Sequence, residues 1–159
     1  MTSSEQGLAN ARQIEQLADR LSAAADAMHA RVLQAIARRA PDDAPGAAMH
    51  INQAEAQAVF EHEVRLRQHA NSLYADAARH AGSGLQLAQQ TVLQITDTAA
   101  AQIEHIAQVK DLLLIGADLL ALGGAAVAGR PGEMLKALEQ VRDHGNAIKQ
   151  GKHPGEEPA

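Results

Sequence analysis

Cysteine and tryptophan are missing from this chain, and aromatic residues number two, Phe60 and Tyr74. Without cysteine there are no disulfides, no thiolate nucleophile and no thiolate metal site. With so few aromatics, a core must be assembled from Leu, Ile, Val, Met and many Ala. Small side chains let helices approach closely but bury little area each, so stability has to come from long interfaces. Basic residues are also sparse. The net charge is −5, and Arg38–Arg39 is the one adjacent basic pair, which gives a nucleic-acid role little electrostatic support. The N-terminal MTSSEQGLANARQ has no basic segment followed by an apolar one, so the expected location is cytoplasmic, with non-classical export or membrane association as the other routes. Strand patterns, nucleotide-binding loops and strand–turn–helix nucleophile elbows are absent as well, and the reading is of a protein that is not an enzyme.

What the chain does contain is helix. From Leu8, apolar residues recur every three or four positions through Ala11, Ile14, Leu17, Leu21, Ala25, Met28, Val32 and Ile36. The PDDAPG segment at 41–46 breaks the pattern. A second helix is expected from about His50 or Asn52 to His80, with a stripe of Val59, Leu66 and Leu73 one heptad apart, and with Glu61–Arg65 and Glu63–Arg67 as i,i+4 pairs on its exposed side. Gly82–Gly84 ends it. The third helix carries the longest heptad: Leu85, Val92, Ala99, Ile106, Leu113, Leu120 and Val127, with companions that become Gly116 and Gly123. A seven-residue repeat of that length predicts a left-handed, coiled-coil-like seam. Gly129–Gly132 closes it, and Pro131 with Glu133 opens a short final helix.

The predicted fold is therefore all-α: an elongated antiparallel bundle of three long helices plus a shorter C-terminal one. It forms a single domain over residues 1–150, with breaks near 40–49, 82–84 and 129–132 and a flexible polar tail at 151–159.

Eight histidines stand out in a chain poor in other functional residues. On the second helix Glu55, His62, His69 and Asp76 recur every seven residues, with His80 four beyond. Asp76 and His80, one turn apart, are the weak candidates for a shared metal ion. Successive members of the stripe lie about 10.5 Å apart along the axis, too far for one ion to bridge. No metal or other cofactor is expected.

The run Leu112–Gly129 is the longest apolar stretch, interrupted by Asp118 alone. It must be buried in a core, a partner or a membrane. Its eight Leu, Ile and Val residues favour membrane insertion by roughly 0.3–0.6 kcal/mol each, and Asp118 near the centre costs about 2.5–3.5 kcal/mol, cancelling most of that gain. Asp118 is read as lying on a narrow wet edge, or else as needing a base such as Lys110, Arg130 or one from a partner chain. The interface residues expected from the heptad are Leu113, Gly116, Leu120, Gly123 and Val127, the interface lying either within the bundle or against another chain.

In composition and heptad texture the chain resembles the phasins, coat proteins of bacterial polyester granules, although no motif carries the likeness and no residue is transferred from it. The leading functional expectation is a non-enzymatic helical protein acting through self-association or by docking to a partner protein. The second is a surface-active protein, a granule coat or an accessory to a secretion or toxin system, that uses the apolar helix at 112–129.

Overall fold

The computed structural model describes residues 3–37, 51–75 and 89–152, and all its regular structure is helical. Among the described residues five helices pack against one another: α1 (Ser3–Ala37), α2 (Gln53–Ala75), α3 (Gln89–Ile103), α4 (Val109–Ala128) and α5 (Pro131–Lys149). The breaks expected near 40–49 and 82–84, the tail from residue 153 and the Asp76–His80 pair lie outside the described residues. The break at 129–132 is present. Gly129 adopts φ 68°, and the Gly129 and Arg130 amides donate to the carbonyls of Ala126 and Ala125, closing α4 immediately before Pro131 opens α5.

The stripes of α1 and α2 fill one core. Ile14, Leu17, Leu21, Ala25, Met28 and Val32 of α1 are buried, as are Val59, Leu66 and Leu73 of α2. Ile36 is exposed, and Ala35 takes the inward position there. Asn52 and Glu55 form a reciprocal capping box at the start of α2. The Glu55 amide donates to Asn52 Oδ1 at 2.8 Å, and the Asn52 amide donates to Glu55 Oε1 at 3.0 Å. Glu55 thus belongs to a helix start rather than to a ligand stripe.

Contacts between α1 and α2 run in opposite sense along the two helices. Asp19 accepts from Tyr74, Asp26 from Arg67 at 2.7 Å, and Glu63 meets His29 at 3.1 Å. The Glu63–Arg67 pair is formed, at 3.0 Å, but Glu63 is buried rather than exposed, because it also faces His29 across the helix pair.

The long third helix expected from the heptad is instead two helices. Its path stops at Ile103 and resumes at Val109 after a non-helical segment at 104–108. The His105 amide donates to Gln102, Ile106 is buried, and the Ile106 carbonyl accepts from Arg31 Nε of α1 at 2.9 Å. Gln108 is extended (φ −114°, ψ 132°), and its carbonyl takes the first α4 bond from Leu112. The chain also changes direction here. Along α1, Arg20 meets Asp97 and Arg31 meets Ile106, so α3 ascends with α1. On α4 the order is reversed, with Gly116 against Met28 and Gly123 against Leu21. The repeat from Leu85 to Val127 is therefore not one continuous seam. Leu112, Ile115, Leu119, Leu122 and Ala126 are the most deeply buried side chains of α4, and the heptad residues Leu113, Leu120 and Val127 are half-buried at the edge of the core.

Candidate interaction site around α4

Helix α4 presents three different surfaces. Towards α2, two glycines receive two imidazoles. A side-chain carbon at Gly116 would lie 2.8 Å from His62 Nδ1 and 2.9 Å from Met28 Cε. One at Gly123 would lie 3.2–3.3 Å from His69 and Leu21, and Gly124 adjoins the tip of the same His69 ring. Helix glycines cost about 1 kcal/mol each relative to alanine, and here they are needed because the rings occupy the space a Cβ would take. Gly116 and Gly123, expected at an interface, are thus buried within the chain against His62 and His69. Burial pushes both imidazoles below their ordinary pKa, helped by the nearby Arg65 guanidinium; Glu61 opposes the shift at His62.

Towards α5, α4 presents Asp118. It is buried, with its carboxylate Oδ2 2.5 Å from His144 Nδ1 on α5. This corrects the expectation of a wet edge, and the base is His144 rather than Lys110, Arg130 or a residue of another chain. Burial raises the Asp118 pKa, and the hydrogen bond and charge of His144 oppose that rise. One sign of this partnership was available in the sequence. Asp118 and His144 lie about equally far on either side of the Gly129–Pro131 turn, so folding α5 back on α4 brings them together.

The third surface of α4 faces outward. Ala117, Ala121 and Ala128 are exposed, and Leu113, Leu114, Leu120, Gly124 and Val127 are half-buried around them. Leu114, Ala117, Ala121, Gly124 and Ala128 follow one another at alternating three- and four-residue steps, the spacing of a seam that faces a second helix. From Leu112 to Ala128 no polar residue lies on this side, since Asp118 points to α5. Leu113, Leu120 and Val127, expected at an interface, border the seam. By length and composition α4 is the one helix among the described residues that could cross a membrane, and about half of its apolar stretch (56%) is buried inside the protein.

Elsewhere, α3 and α5 are separated by a groove of two adjoining cavities, of about 450 and 360 Å3, that share Thr98, Gln102 and Lys149. Gln102 spans it, its amide donating to the Gly145 carbonyl at 2.8 Å. Among the described residues no group of three or more His, Asp or Glu is placed to hold a metal ion.

The chain matches no protein-family model, and it shows no significant similarity to a curated protein or a solved structure.

Proposed function

We propose that this is a non-enzymatic interaction protein, an antiparallel, coiled-coil-like helical bundle that self-associates through the outward face of α4. The observation that carries this reading is the apolar seam Leu114–Ala117–Ala121–Gly124–Ala128 on the water-facing side of the helix. An exposed helix face normally carries charged and polar residues, and a continuous apolar stripe on one marks a contact surface. Small residues at seam positions let a second backbone come close, and a second copy of the chain presents the same small, uncharged seam. The seam holds no charge that would select a partner of opposite sign, which favours a second copy over an unrelated protein. Leu113, Leu120 and Val127 would then close over the edges of the paired helices. The same face would also suit a granule or membrane surface. Against that, Asp118 and the more deeply buried side of α4 are already committed to α5 and the core.

The test is the mass in lipid-free buffer of the native chain and of the Ala117→Glu/Ala121→Glu variant. Both positions are exposed, so in a lone chain each change should alter stability by no more than about 0.5 kcal/mol. The native chain is expected at twice or more its 16.8 kDa and the variant at 16.8 kDa, with unchanged helix content. A native chain that stays at 16.8 kDa up to high micromolar concentration would refute self-association. If it also partitioned onto vesicles and the variant did not, the surface-active reading would replace it.

A further inference from the structure

The five described histidines fall into groups with different surroundings. His29 lies with Nδ1 3.1 Å from the Glu63 carboxylate, linking α1 to α2, and His144 lies 2.5 Å from that of Asp118, linking α5 to α4. Each of these two rings thus faces a carboxylate across a pair of helices. His105 is exposed. His62 and His69, which join α2 to α4, have no such partner. Against the two rings lie Gly116, Gly123 and Gly124 of α4, with Met28 and Leu21 of α1 beside Gly116 and Gly123. The charged groups acting on them belong to α2 itself: Arg65 on both rings and Glu61 on His62. His62 Nδ1 is buried and makes no hydrogen bond, and it sits directly on the Gly116 backbone. Protonating that nitrogen would create a buried donor, on a charged ring, with no acceptor within reach.

We propose that the α2–α4 contact is a proton-operated latch, in which proton uptake by His62 and His69 separates the α4–α5 pair from the α1–α2 pair while each pair stays joined. Opening would uncover the glycine face of α4, the most apolar helix among the described residues, and the leucines beside it. The sign follows from the burial of the two rings. Their pKa values in the folded chain are lowered, so the closed form binds fewer protons than the open one just below the ordinary imidazole value of about 6.5. The stabilisation of the closed form is complete above that pH and is lost as the pH falls towards the lowered values. The ion pairs that join α1 to α2 and α3, Asp26–Arg67 and Asp97–Arg20, involve neither ring.

The absence of cysteine allows spin labels to be placed at single exposed sites. One label pair, at Gln68→Cys on α2 and Gln140→Cys on α5, spans the latch; a second, at Gln34→Cys on α1 and Gln57→Cys on α2, does not. Labelled full-length chain is diluted into unlabelled chain so that only distances within one molecule count. Between pH 7.5 and pH 5 the α2–α5 distance is expected to lengthen and the α1–α2 distance to hold, with the transition below pH 6.5. The His62→Gln/His69→Gln variant should lose this response. If that variant does not fold at pH 7.5, the single His69→Gln variant, which keeps the tighter His62–Gly116 contact, should move the transition to lower pH. An α2–α5 distance equal at both pH values, loss of both distances together, or an unchanged response in the variants would overturn the latch.

Discussion

His144→Ala is expected to destabilise the protein by about 2–4 kcal/mol, because it leaves Asp118 buried in the apolar helix without its base. The range is set below that of a fully enclosed pair because the His144 side chain retains 30% exposure, which admits some water to the site. Replacing both partners, as Asp118→Leu/His144→Leu, should cost far less, since two apolar side chains leave no unpaired charge. Removal of His144 also removes the interactions that hold the Asp118 pKa down, so burial drives it further up. A carboxyl whose folded pKa is raised is stable when protonated and loses that stability as the pH rises through the folded value. The deficit of His144→Ala should therefore be larger at pH 8 than at pH 4.5. Denaturant titrations of the three proteins at the two pH values check this, and equal losses for the single and double variants would show that the pair has no role.

Gly116→Val is expected to cost about 2–3 kcal/mol, the magnitude of overpacking a tight contact. Its Cβ would fall within 3 Å of both His62 and Met28, and helix propensity returns only a few tenths of a kcal/mol of that loss. His62→Ala removes the ring that the new side chain meets. A thermodynamic cycle of Gly116→Val and His62→Ala should show coupling of about 1 kcal/mol or more, with the double variant more stable than additivity allows. Additive losses would mean that the imidazole does not occupy the glycine's space.

The sequence made some of these features legible and hid others. The Val59, Leu66 and Leu73 stripe was readable because one face of α2 packs on the core along its length. The turn at Gly129 was readable because a left-handed residue followed by a proline has few other uses. The break at 104–108 was hidden because it contains neither glycine nor proline, and because Ile106 is buried although it is not helical. Its side chain therefore kept the heptad in phase across a reversal of the chain. Once the helix is divided there, the repeat through Leu113, Leu120 and Val127 no longer marks the centre of a buried face. The His62 and His69 stripe was visible as a spacing, but its meaning depended on which helix lay opposite. Only the placement of Gly116 and Gly123 shows the imidazoles to be large side chains fitted into small ones. Asp118 was conspicuous for the same reason that its partner was not: a lone carboxylate in an apolar run draws notice, whereas His144 sits on an ordinary amphipathic helix.

The most direct test of self-association through α4 is a cross-link at the middle of its outward seam. Ala121→Cys would introduce the sole thiol of the chain, at an exposed position midway between Leu114 and Ala128. Two seams paired about their centre, in either sense, bring these thiols together. Mild oxidation of the Ala121→Cys variant at low micromolar concentration should give a disulfide-linked dimer rapidly, and Gln57→Cys on the exposed side of α2 should give one only slowly. Equal, slow cross-linking at both positions would contradict the account.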